Sequence, residues 1–116
     1  MLMFLFIQKL RSNSLKIEKI KSYLGFAIRS GKIIFGIDKL LQSKKKPLLV
    51  LICSSQNDKV SGKVKRFCES NQINFYKLPN NILLGDLIGR DNCKILGICD
   101  VSLANAITNE FQMENN

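Results

Sequence analysis

The chain contains no histidine. That removes the one side chain whose unperturbed pKa lies near neutrality, and with it the commonest acid/base group of an enzyme. A cysteine nucleophile here lacks its usual imidazole partner. Cysteine is itself sparse: Cys53, Cys68, Cys93 and Cys99, with no C-x-x-C pair. A closed zinc site would need all four thiolates from separate segments, which the spacing does not favour. Cys53 and Cys99 sit in the apolar runs LLVLIC and ILGIC and read as small core residues. Only 2 prolines and 7 glycines interrupt a chain that is 46% hydrophobic, so a folded globule is expected rather than a disordered tail. No fixed period recurs, which argues against a solenoid. A chain of this length forms one domain and buries a core without disulfides or metal. Nothing in these patterns calls for a cofactor.

Long apolar runs are also missing. The opening MLMFLFIQKLRS is apolar only over residues 1–7, too short to span a bilayer. Lys9 and Arg11 follow that run, whereas a signal peptide carries its positive charge before it. The expectation is a short N-terminal extension over 1–14, a domain over 15–111 and a frayed tail over 112–116. Free thiols and the absence of a secretory pattern point to the cytoplasm, with no membrane partner.

Acidic charge is scarce as well. Eighteen Lys+Arg stand against nine Asp+Glu, a net of +9. Residues 1–66 hold 15 basic and 3 acidic groups, whereas residues 67–116 hold 3 basic and 6 acidic. That layout points to a polyanion approached from one side. The competing reading is a solubility device.

Helical and strand patterns alternate along the chain. Ser14 is a candidate cap for a helix whose Ile17, Ile20, Leu24, Ala27 and Ile28 make one apolar face. Gly31 ends it. Ile33–Phe35 is a short strand, and Gly36 opens a second helix, closed by Lys44-Lys45-Lys46-Pro47. Leu48–Cys53 is apolar throughout and reads as a central strand. Val60, Val64, Phe67 and Cys68 line a third helix whose other faces carry Lys59, Lys63, Lys65 and Arg66. Asn74–Leu78 is a second sheet strand. Pro79-Asn80-Asn81 starts a helix with Ile82, Leu83, Leu87 and Ile88 apolar, stopped by Gly89. Ile95–Cys99 is a further core strand. Asp100 or Ser102 caps a last helix bearing Leu103, Ala106, Ile107 and Phe111. The fold class is α/β, with helices on both faces of a small sheet.

Gly-Lys at 31–32 is not a phosphate loop. That motif is G-x-x-x-x-G-K-[ST] after a strand. Here five residues, FAIRS, separate Gly25 from Gly31, Ile33 holds the hydroxyl position, and a helix precedes.

The order LGFAIRSGKIIFGIDKLL, LLVLICSS, LLGDLIGRDNCKILGICD resembles the kink-turn RNA-binding ribosomal proteins of the L-seven-Ae and L-thirty-e type, including their bacterial ribosome-associated branch. The likeness runs from about Leu15 to Ile107. It implies a three-layer αβα sandwich around a four-stranded mixed sheet, noncatalytic RNA binding, and a monomer. In that family the grip on RNA is G-x-N-E-x-x-K at the start of the second helix, set against a loop after an L-G-x-x-x-G helix. By resemblance the RNA-facing residues are Lys32, Gly36, Ile37, Asp38, Lys39 and Gln42, with Arg90, Asp91, Asn92 and Cys93 in the second loop.

Three positions depart from the family pattern. Asp38 stands where asparagine is usual, Lys39 where glutamate is, and Gln42 where lysine is. Glutamate accepts a hydrogen bond from a guanine N–H, whereas an ammonium only donates. Lys39 is suited instead to guanine O6/N7 or a phosphate. The expected partner is RNA of kink-turn or similarly bent form, on the ribosome. The alternative is a protein-interaction module that kept the fold and lost specific RNA recognition. For residues 36–42 the competing reading is a helix cap with solvated lysines, and for 90–93 an ordinary helix-to-strand loop.

Overall fold

The computed structural model describes residues 17–79, 82–90 and 92–115. The expected Ser14 cap and the extension 1–14 lie outside the described residues. Residues 17–29 form helix α1. Its buried Ile20, Leu24 and Ala27 recur at helical spacing, as the sequence demands. Gly31 stops it in the left-handed region at φ 69°, and the Lys32 N–H closes back on the Ala27 carbonyl at 2.9 Å.

Seven elements follow: β1 (Ile33–Phe35), α2 (Ile37–Gln42), β2 (Leu49–Ile52), α3 (Asp58–Ser70), β3 (Asn74–Lys77), α4 (Leu84–Ile88) and β4 (Ile95–Ile98), and then α5 (Val101–Asn115) ends the described chain. Side-chain caps set two helix starts. The Val60 N–H donates to Asn57 Oδ1 and the Leu103 N–H to Asp100 Oδ1, each at 2.9 Å. Asp100, not Ser102, therefore caps α5.

The sheet order is β1-β4-β2-β3, with β2 and β3 parallel and the other pairs antiparallel. This is the mixed four-stranded sheet of an αβα sandwich. Strand β2 is interior and buried at every position, and its alternation splits it between two layers. Leu49 and Leu51 pack with Leu96, Ile98, Leu24, Leu84 and Ile107, beneath α1, α4 and α5. Val50 and Ile52 pack with Leu40, Val64 and Cys68, beneath α2 and α3.

Glycine at 97 has a packing reason. A Cβ there would lie 2.6 Å from Leu40 Cδ1 and 2.9 Å from Pro47 Cβ. The missing side chain lets α2 and the Pro47 turn press directly onto β4.

Three expectations need adjusting. Helix α4 begins at Leu84, not at Pro79–Asn81: the Ile82 N–H closes a turn on the Pro79 carbonyl at 3.1 Å, and Leu83 holds extended backbone. Cys99 is half-buried at the strand end rather than in the core. The lysines 44–46 lie beyond α2, whose last residue is Gln42 and whose Ser43 is extended. Helix α5 runs Val101–Asn115. It buries Ala104, Ile107, Phe111 and Glu110, the last paired with Lys19 of α1 at 3.8 Å.

Candidate nucleic-acid interface

Sheet topology decides which of the candidate residues can meet. Strands β1 and β4 are antiparallel with Phe35 opposite Leu96, so the end of β1 lies beside the start of β4. The Gly36 N–H donates to the Ile95 carbonyl at 3.0 Å. Strand β2 ends there too, with the Cys53 N–H on the Lys94 carbonyl at 2.7 Å. One end of the sheet thus gathers the loop before α2, the end of β2 and the segment after α4.

Gly36 sits at φ 85° and ψ 157°. That extended conformation with positive φ is essentially restricted to glycine. Space is not the constraint, since an added Cβ would meet nothing within 4 Å. The Gly36 N–H is already committed to Ile95. The first helical bond of α2 runs from the Leu40 N–H to the Gly36 carbonyl at 3.1 Å, so the donors of Ile37, Asp38 and Lys39 precede the helical ladder. Asp38 lies in the first turn of α2, where its charge suits the helix dipole.

The second segment reaches the first through a ring. The Arg90 guanidinium carbon lies 3.9 Å from the centroid of the Phe35 ring. Gly89, left-handed at φ 70°, ends α4, and the Arg90 N–H donates to the Gly85 carbonyl at 3.0 Å. Asn92 is exposed at φ 65°, a conformation asparagine tolerates better than most residues.

The remaining candidates divide. Asp38, Lys39 and Gln42 are exposed. Lys39 and Gln42 line a cleft of about 340 Å³ with Ile33, Ile34, Phe35 and Ser43. Ile37, half-buried, packs into the layer under α2 and α3. Cys93 packs into the opposite layer, its thiol on the Ile95 carbonyl at 3.6 Å, and burial pushes its pKa up. Lys32 stands apart at the other end of β1, roughly 13 Å from Gly36 at about 3.3 Å per residue. It lies there with Lys45, both close enough to Cys99 to oppose the upward push of burial on that thiol. Asp91 lies outside the described residues.

Sequence reasoning did not find Phe35, Cys53 or Lys94. Cys53 and Lys94 line a second cleft, of about 230 Å³, with Ser55, Leu84, Asp86 and Asn92. Burial raises the Cys53 pKa, but hydrogen bonds from Ser55 and the Leu84 backbone, with the Lys94 charge, bring it below its ordinary 9.0. An aromatic directly before Gly36 was the one available signal for Phe35. Its pairing with Arg90 depends on strand order, which local sequence does not display.

With this geometry in place, the chain can be set beside known proteins. A model of the ribosomal protein L7Ae/L30e/S12e/Gadd45 family matches residues 18–108. The chain belongs to that family. Among solved structures, a protein of unknown function from Bacillus halodurans C superposes with a TM-score of 0.74 at 23% identity, covering 81% of this chain and 97% of that one. That likeness speaks for the L7Ae-type fold alone. No curated protein matches significantly. No helix among the described residues is long and apolar enough to cross a membrane.

Proposed function

We propose that this L7Ae-family chain is a noncatalytic, ribosome-associated RNA-binding protein that grips bent, internally looped RNA at the Gly36 end of its sheet. The observation that carries the proposal is the Arg90 guanidinium over the Phe35 ring at 3.9 Å. It couples the two segments that the resemblance marks as RNA-facing. A guanidinium lying on a ring keeps its in-plane N–H donors free for phosphate or guanine. Lys39 and Gln42 extend the surface along α2, and Lys39 donates to guanine O6/N7 or phosphate where the family usually accepts. The departures at Asp38 and Lys39 fit the bacterial branch, and the site is a cytoplasmic one.

Affinity comes largely from phosphate neutralisation. With about four cationic contacts, log affinity falls against log salt with a slope of roughly −3 to −4. Shape and unpaired bases supply selectivity. The test is binding of a standard kink-turn RNA beside a matched straight duplex at two salt concentrations. Preference for the kink supports the proposal; equal binding to both overturns the kink-turn part, and a slope near zero overturns the RNA part. The loss of the glutamate acceptor at Lys39 favours a second reading, a protein contact in place of specific RNA, which predicts weak and equal binding of the two RNAs.

A further inference from the structure

Among the described residues, strand β1 pairs with β4 alone and is an outer strand of the sheet. The hydrogen-bond parity of that pair is fixed at both ends. The Cys99 N–H donates to the Lys32 carbonyl at 2.9 Å, and the Gly36 N–H donates to Ile95 at 3.0 Å. Alternate residues of an antiparallel strand face the partner. Lys32, Ile34 and Gly36 therefore face β4, and Ile33 and Phe35 turn their N–H and C=O groups outward. The Ile98 carbonyl, opposite Ile33, is taken from its other side by the Leu48 N–H at 2.8 Å, which agrees with this parity.

The open edge thus offers two donor–acceptor pairs at a repeat of about 6.6 Å. The cleft of about 340 Å³ runs along it, walled by Lys39, Gln42 and Ser43 of α2 and its end. Lys32 stands at the start of the strand, and Lys44, Lys45 and Lys46 follow α2, all exposed. Asp38 is the one acidic residue of α2.

These features select among ligands. Phosphate oxygens only accept, so phosphate contacts would leave the outward carbonyls of Ile33 and Phe35 unpaired, and the 2′-hydroxyls are the one donor an RNA backbone has for them. A second copy of β1 would bring Lys32 and Lys39 against the same lysines. An extended polypeptide main chain matches both donors and acceptors, and acidic side chains match the charge. We propose that the β1 edge takes an extended acidic peptide from another protein, which adds to the sheet as a fifth strand beside Ile33–Phe35. Because Lys39 and Gln42 belong to both surfaces, this peptide and RNA exclude one another.

The test uses the full chain and a capped peptide of about seven alternating glutamates and valines, with lysine replacing glutamate in a control. Amide hydrogen exchange is read residue by residue. The expected result is slowing of about tenfold or more at the Ile33 and Phe35 amides, with Ile34, already bonded to β4, unchanged. The glutamate peptide binds at least about tenfold more tightly than the lysine peptide. Ile33→Pro removes an outward donor without touching a ladder bond and abolishes binding, with exchange in α5 serving as the check on folding. Unchanged exchange at Ile33 and Phe35 in the wild-type chain overturns the proposal, whatever the variant does. So does slowing produced by a straight RNA but not by the peptide, or by raising the protein concentration alone.

Discussion

At the Gly36 end of β1, an arginine is laid on an aromatic ring, a glycine holds a conformation denied to other residues, and main-chain bonds tie three strand ends together. At the Lys32 end, the cations are exposed lysines on a turn and a helix exit, gathered around a half-buried thiol. Both ends are basic. Arg29, beside the turn at the second end, lies over Phe26 of its own helix at 4.7 Å, whereas Arg90 at the first is held over a ring from another element at 3.9 Å. Charge brings a polyanion to the surface, whereas recognition needs donors whose positions are set before contact. Net charge therefore indicates a class of partner, and backbone hydrogen bonds indicate where on the molecule to look.

Gly97→Val should remove the difference between the two ends, because it lifts α2 and Pro47 off β4 at mid-sheet. We expect a loss of about 1–3 kcal/mol from overpacking, measured by urea unfolding, together with weakened RNA binding. Gly36→Ala should act at one end only. It costs about 1–3 kcal/mol of stability through backbone strain and reduces RNA affinity. Gly31→Ala, also at positive φ, costs about 1–2 kcal/mol and leaves affinity unchanged.

Arg90→Ala should lower RNA affinity by about 1–3 kcal/mol with at most about 1 kcal/mol lost from stability. Lys32→Ala should change affinity much less in the same titration, and equal losses would erase the contrast. Lys39→Ala should reduce the salt slope by about 1.

The smallest effect is in the thiols. Donors from Ser55 and Leu84 and the Lys94 charge outweigh burial at Cys53, whereas burial outweighs Lys45 and Lys32 at Cys99. The thiolate is the reactive form. The pH midpoint of alkylation, followed by peptide mass, should lie below 9.0 for Cys53 and above it for Cys99. Midpoints in the reverse order would show that the donor set at Cys53 is not formed.

Much of the fold was legible because each element had a local cause. The all-apolar run ending at Cys53 announced an interior strand, and Gly31 and Gly89 announced helix ends through their conformational freedom. Helix α4 was misplaced at its start because Ile82 is apolar for core packing rather than for a helical face. For the candidate site, the resemblance pointed to Gly36 and the loop after Gly89, whose segments the sheet brings together, but Ile37 and Cys93 pack against the two layers and Lys32 lies at the far end, facts set by register and strand order. Phe35 was invisible for the same reason, since its partner lies far along the chain.

The bond from Gly36 to Ile95 has a consequence for biosynthesis. The two residues lie 59 positions apart in the sequence, and β4 is the last strand to be made among the described residues. Until β4 has been synthesised and has inserted between β1 and β2, the Gly36 loop has no main-chain anchor and Phe35 has no Arg90. A nascent chain therefore carries its lysines long before this end of the sheet is assembled. On the proposed function, specific recognition is acquired late, at the moment the sheet closes.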